Sequence, residues 1–334
     1  MKKVGAWILK AIAGGVAALL ALNAFCMLYY NVPVHYTNPD GSTEYKWESS
    51  TFYSKGTEGF AWGVTNNDGF NNLKDYTPGE KIDILLMGSS HMEGFNVAQD
   101  ENAAAVLNEL FAGEKYTYNI GTAGHTLLYC IKHLDAALDT YAPAGYVVIE
   151  AASVDFAAED MEAVVNGTFA DIPSHTGALI TLLQKLPFLR LFYTKMFKDA
   201  DAAAAEPAPA LPQQSTGRDY RAELGPLLDM VAGSCREHGV QPVIVYDTDI
   251  RVDAQGRAYT TADEDRITDF AAVCDEKGIA FVDTRDSFIE NYNSTYELPC
   301  GFSNTSPGAG HINRVGHRLF ALDVYGAITG LEGR

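Results

Sequence analysis

The sequence predicts an α/β domain, about five parallel strands layered between helices, carried behind one N-terminal transmembrane helix. Three observations lead there. Residues 11–30 form an unbroken apolar run; short apolar runs ended by turn residues recur from Lys81 onward; and stretches with helical spacing lie between those runs. Strand alternating with helix implies right-handed βαβ units and a parallel sheet covered on both faces.

The apolar run, AIAGGVAALLALNAFCMLYY, has Asn23 as its single clearly polar side chain. Twenty residues at about 1.5 Å rise span roughly 30 Å, one hydrocarbon core. Lys2, Lys3 and Lys10 are the only charged residues before Asp40. They place the first ten residues in the cytoplasm and the rest outside the membrane, with Tyr29 and Tyr30 at the outer interface. The rival reading, a signal peptide cleaved near Ala24, fits less well. Leu22 stands where a small residue is preferred, and the run exceeds the usual ~7–15 residues. Phe25 argues against a lipid-modified Cys26.

Residues 31–80, rich in Asn, Gly, Thr, Tyr and Asp, read as an irregular arm lying over a domain that occupies 81–334. Its strands are expected at 82–87, 116–120, 146–149, 242–246 and 279–282, and its helices at 103–111, 127–141, 220–238, 263–277 and 319–328. A helical insertion over 160–198 breaks this rhythm. Within it, 177–198 carries Leu, Ile and Phe at helical spacing with Lys185, Arg190, Lys195 and Lys198 among them. That pattern fits either a packed helix pair broken at Pro187 or a basic cap on the membrane surface or active site. The Ala/Pro-rich stretch 199–216 reads as a disordered loop.

Composition excludes several classes. The chain has 334 residues, 47% of them hydrophobic, and a net charge of −19, so it holds enough apolar material for a packed core. Beyond the three lysines, 21 basic residues face 43 acidic ones, leaving −22 outside the anchor. That balance excludes nucleic acid as a partner. It suits a neutral or acylated glycan, or another small ester, better than an anionic polymer. No CxxC or Cys/His spacing marks a metal site, and no cofactor motif follows the first strand. Cys130, Cys235, Cys274 and Cys300 read as small buried residues, with Cys235 and Cys274 the pair an oxidising compartment would join.

In open parallel sheets ligands bind beyond the carboxyl ends of the strands. Three segments there carry chemistry. Gly88-Ser89-Ser90-His91-Met92-Glu93-Gly94 puts a serine on a tight strand-to-helix turn. Asn119-Ile120-Gly121-Thr122-Ala123-Gly124-His125 offers backbone N–H groups to a developing oxyanion. Ser306-Pro307-Gly308-Ala309-Gly310-His311-Ile312-Asn313-Arg314-Val315-Gly316-His317 brings a histidine to the last helix, placed to serve as a general base. His317, at the helix start, suits capping or packing.

In this order, over about 230 residues, the three segments resemble the SGNH (GDSL-like) hydrolase and acyltransferase superfamily, in its divergent, membrane-anchored bacterial branch. The resemblance implies a flavodoxin-like three-layer sandwich and serine chemistry on an ester, without cofactor or metal. It makes Ser90, not Ser89, the nucleophile, His311 the base, and Ser90 and Gly124 the oxyanion donors. Two blocks depart from the pattern. The family's oxyanion asparagine falls on Val154, leaving Ser153 as a substitute donor. The acid three residues before the histidine falls on Gly308, leaving Asp155, Asp247, Asp249 or Asp283 to approach His311. The expected protein is an extracytoplasmic esterase or O-acyltransferase of the cell envelope; the alternative is an inactive binding or assembly protein on the same fold.

Overall fold

A computed structural model describes residues 2–33, 35–37, 43–170, 186–193 and 219–333. The loop expected at 199–216 and most of the segment 177–198 lie outside these residues.

Helix α1 (Lys2–Tyr29) is long and apolar enough to cross a membrane, and its side chains are almost all exposed. It runs into short strands of the arm: β1 (Tyr30–Asn31), β2 (His35–Thr37), β3 (Thr43–Trp47), β4 (Phe52–Lys55) and β5 (Ala61–Val64). The segment expected to be irregular thus holds a β4–β5 hairpin, on which β1 pairs antiparallel. Tyr53, Trp47 and Phe95 pack beneath it as a small separate core. The hairpin grips the end of α1: Ser54 Oγ donates to the Met27 carbonyl at 2.8 Å, and Gly56 N–H to that of Tyr29 at 2.6 Å.

The domain follows as β6 (Ile84–Met87), α2 (Ser90–Glu93), α3 (Ala103–Leu110), β7 (Thr117–Asn119), α4 (Leu127–Tyr141), β8 (Tyr146–Ala151), α5 (Ala158–Val165), α6 (Pro187–Tyr193) and α7 (Tyr220–His238). Its second half comprises β9 (Gln241–Tyr246), the two-residue strands β10 (Arg251–Val252) and β11 (Ala258–Tyr259), α8 (Glu264–Glu276), β12 (Ala280–Asp283), α9 (Arg285–Thr295) and α10 (Arg314–Glu332). The main sheet has order β12-β9-β8-β6-β7 and is parallel throughout.

Period-two alternation sends Leu85, Met87, Val147, Ile149 and Ile244 to one face, against α4, α5, α7 and α8. Ile84, Leu86, Val148, Val243 and Val245 go to the other, against α3, α9 and α10. With both faces covered, the strands need continuous apolar runs, and so the sequence shows them.

Helix boundaries follow local caps. Thr126 accepts from Tyr129 N–H at the start of α4, and Gly239 ends α7 at φ 69°. Asn313 accepts from Val315 and Gly316 N–H, so α10 begins at Arg314, five residues before the expected 319. Cys235 and Cys274 are both buried and both free, which corrects the expected bridge.

Candidate active site

The site lies at the carboxyl end of β6, where the chain must turn sharply. A Cβ at Gly88 would stand 2.6 Å from Glu150 Oε2 and 2.7 Å from Met92 Cγ, so only glycine fits. The next residue is locked in place: Ser89 N–H donates to Glu150 Oε2 at 2.6 Å, and Ser89 Oγ caps α2 by accepting from His91 N–H at 3.2 Å. Ser89 is therefore occupied, and Ser90 Oγ is the hydroxyl presented, 2.8 Å from His311 Nε2.

His311 sits on a loop held by its own backbone. Its carbonyl accepts from Gly301 N–H at 2.8 Å, and Ile312 bridges Cys300. The carboxylate on its ring is Glu58, from the turn between β4 and β5. Glu58 Oε2 lies 2.7 Å from His311 Nδ1, and Oε1 accepts the His311 backbone N–H at 3.2 Å. Burial would raise the Glu58 carboxyl, but its hydrogen bonds to His311, that ring's charge and Lys55 hold it below its ordinary value.

The Glu58 turn is clamped on several sides. Asn304 Oδ1 accepts from Gly59 N–H at 3.0 Å, and its Nδ2 donates to the carbonyls of Gly56 and Gly59 at 2.9 and 2.7 Å. Asn96 Nδ2 donates to the Glu58 carbonyl at 3.1 Å. On the opposite side, a Cβ at Gly310 would stand 2.9 Å from Glu58 Oε1, so that glycine makes room for the carboxylate.

The expected acids are engaged elsewhere. Asp155 pairs with Arg266 at 3.5 Å, and Asp283 chelates Arg285, with Nε at 2.9 Å from both of its oxygens. Asp249 accepts Gly310 N–H at 3.5 Å, and Asp247 binds His91 Nδ1 at 2.7 Å. Gly308, three residues before His311, has φ 84° and donates to the Cys300 carbonyl, as a turn requires.

Of the oxyanion candidates, Gly124 is exposed at φ 89° on the turn after β7. Its loop is tied to the serine turn by Thr122 N–H on the Gly88 carbonyl at 3.0 Å and Ala123 N–H on Glu93 Oε1 at 3.1 Å. Among the described residues no acceptor takes the N–H of Ser90 or of Gly124. Ser153 is different. Its hydroxyl is spent inside its own turn, on the N–H and carbonyl of Asp155. Val154 is buried, with its carbonyl accepting from Tyr220.

Two further buried groups hold the site together. Glu93 accepts from Trp47 Nε1 at 2.9 Å, joining arm to serine turn, and burial pushes its carboxyl up. His317 Nδ1 accepts from Ala103 N–H at 3.2 Å, and burial holds its pKa at about 3; it packs and caps as expected. An aromatic cavity of about 450 Å³ lies beside the turn, lined by Gly88, Phe70, Tyr76, Ile120, Tyr129 and Tyr141.

Sequence reasoning missed Glu58 and the cluster His91, Glu150 and Asp247. Ligand atoms of the latter three lie within 4.8 Å of one another. The 2.7 Å contact between His91 and Asp247 is a hydrogen bond, and burial together with the Asp247 charge pushes Glu150 up to about 8.

No protein-family model matches this chain, and neither does any curated protein. Solved structures that align with it include an acetyl xylan esterase, AlAXEase, 12% identical over 74% of this chain and 99% of that one, with TM-score 0.42. TesA is 15% identical over 74% and 98%, with TM-score 0.40. The psychrotrophic esterase EstA from Pseudoalteromonas sp., inhibited by monoethylphosphonate, is 12% identical over 75% and 98%, with TM-score 0.40.

Proposed function

We propose that this chain is a membrane-anchored serine esterase or O-acyltransferase of the SGNH type, acting outside the cell on an acylated envelope glycan or a similar ester. The observation that carries the reading is the unbroken relay Ser90 Oγ, His311 Nε2, His311 Nδ1, Glu58 Oε2, with contacts of 2.8 and 2.7 Å. Ser90 attacks the ester carbonyl while His311 takes its proton. Glu58 fixes the ring's tautomer and stabilises the imidazolium that forms. The N–H groups of Ser90 and Gly124 receive the oxyanion. Collapse of the tetrahedral intermediate returns the proton to the leaving alcohol. Water then resolves the acyl-enzyme in a hydrolase, and a sugar hydroxyl in a transferase.

The inactive alternative rests on Gly308 and Val154. Glu58 removes the first motive, because an acid reaches the histidine from another element. Retention of the helix as an anchor is supported by the contacts between α1 and the hairpin, and a cytoplasmic N-terminus by Lys2, Lys3 and Lys10 before the apolar run. Trp62 Nε1 adds a bond to the Leu28 carbonyl at 3.1 Å. Removing residues up to Ala24 would strip away most of the helix that leads into them. Helix α6 packs against the same helix, where Phe188 N–H reaches Asn23 Oδ1 at 3.4 Å.

Hydrolysis of p-nitrophenyl acetate by the purified protein tests the reading. Turnover that Ser90→Ala and His311→Ala each abolish is expected. Turnover that survives in Ser90→Ala, or none in the wild type toward any ester or acyl acceptor, contradicts it.

A further inference from the structure

Resting on the anchor reading above, we propose that the outer face of the β4–β5 hairpin is a membrane-docking surface, seated at the headgroup layer of the bilayer that α1 crosses. The end of that helix sets the depth of the hairpin. The last four carbonyls of a helix have no partner within it, and close to hydrocarbon they must find one. Three of those of α1 find it on the hairpin: Met27 on Ser54 Oγ at 2.8 Å, Leu28 on Trp62 Nε1 at 3.1 Å and Tyr29 on Gly56 N–H at 2.6 Å. The hairpin is thus the cap of the membrane-spanning helix, at the level where the apolar run ends.

The face it turns to that level is apolar and aromatic. In the β4–β5 register Tyr53 pairs with Gly63 and Ser54 with Trp62, and successive residues of a strand point to opposite faces. The Tyr53 side is closed by Phe95, with ring centroids 4.0 Å apart. The Trp62 side meets the end of α1 and is otherwise open: Phe60 is 63% exposed, Trp62 52% and Val64 46%. The rings of Phe60 and Trp62 meet edge to face at 5.6 Å. An indole with its N–H bonded and its ring bare suits the boundary between headgroups and hydrocarbon.

Helix α6 lies alongside. It packs on the side of α1 that carries Asn23 and the buried Cys26, and its Arg190 donates to the Val32 carbonyl and lies 6.0 Å from the Tyr30 ring. At about 1.5 Å per residue Asn23 lies roughly 10 Å below Tyr30, a depth that interfacial helices reach. The exposed Phe192 of α6 extends the apolar face of the hairpin into the same layer. Charge does not supply the attachment, since the residues beyond the anchor sum to −22 and are repelled by an anionic surface. Glu58 precedes Phe60 by two residues, no more than about 7 Å along the chain. The relay is therefore held next to the bilayer and not on a stalk above it.

The test uses the full-length chain in phosphatidylcholine nanodiscs. Trp7→Phe with Trp47→Phe leaves Trp62 as the only tryptophan. In lipid with brominated acyl chains its emission is expected to fall by about half or more against plain lipid, with weak quenching by acrylamide, as an indole at the headgroup boundary requires. Nitroxide labels on Phe60→Cys and Val64→Cys read the same face with every tryptophan in place. The native cysteines are buried, so the label goes to the new thiol. Both labels are expected to relax faster with oxygen than with a water-soluble nickel chelate, and they decide the matter if the tryptophan variant is unfolded. Emission unchanged by bromine, or labels more open to the nickel chelate than to oxygen, overturns the docking and leaves Ser90 chemistry standing. A chain recovered from cells without the residues up to Ala24, or released from membranes by alkaline carbonate, overturns the anchor reading beneath it.

Discussion

Replacing Glu58 takes away two bonds to one residue, on Nδ1 at 2.7 Å and on the backbone N–H at 3.2 Å of His311. Loss of the orienting acid from a serine triad lowers kcat by up to about 10⁴, or about 5 kcal/mol at 1.36 kcal/mol per decade. The Glu58 side chain is 20% exposed, so water can enter and replace part of the interaction. For Glu58→Ala a fall of about 10³ is therefore expected. Glu58→Gln separates charge from packing. It preserves size, but its amide can donate to Nδ1, which places the ring proton on Nε2 and removes the base that faces Ser90. It should be as slow as the alanine variant. Asp155→Asn and Asp283→Asn, which only disturb ion pairs with Arg266 and Arg285, should keep near wild-type rates. The assay is kcat on p-nitrophenyl acetate. Either Glu58 variant within threefold of wild type would refute the assignment.

Gly310→Ala should act on the same carboxylate from the other side, through a Cβ 2.9 Å from Glu58 Oε1 at a φ of 93°. Both kcat and melting temperature should fall, and an unchanged kcat would refute the close fit. Leu85→Ala, at a fully buried position, should cost about 2–5 kcal/mol in denaturant unfolding of the folded protein. Stability should also decline with alkali. His91 holds its proton up to about 9 in the fold but only to about 6.5 unfolded, so its contribution is complete below about 6.5 and lost through about 9. Glu150 binds a proton up to about 8 in the fold against about 4.5 unfolded, so it too loses stability as pH rises across that window. Melting temperatures from pH 6.5 to 9.5, above the range in which His317 with its lowered pKa adds stability as pH rises, should fall, and less steeply in Glu150→Gln; a flat wild-type profile would refute the cluster's protonation.

The sheet was legible because its strands are buried on both faces. Ile84, Leu85, Leu86 and Met87 are all buried, so the run is apolar without interruption. Ser90 and His311 were legible because each lies in a local glycine-bearing motif. Glu58 was not, since it precedes His311 by 253 residues and sits on an arm with no sustained hydrophobic period. The place a local motif would search is Gly308. The signals that remained were the glycines at 56, 59 and 310, which carry meaning only once the two turns are known to meet. Helix α9 is illegible for a related reason: Phe288 is its single buried residue, so no apolar stripe marks it. Helix α10 begins earlier than expected because Asn313, a histidine-motif residue, also caps it by accepting from Val315 and Gly316 N–H.

The central claim is that Ser90 is a nucleophile activated by His311. Its most direct test is reaction of the full-length protein in detergent with a fluorophosphonate, followed by peptide mass spectrometry. A single adduct on Ser90, formed by wild type, slowed in Glu58→Ala and absent in Ser90→Ala, is the predicted result. An unreactive wild type, or an adduct on Ser89 or elsewhere, would contradict it.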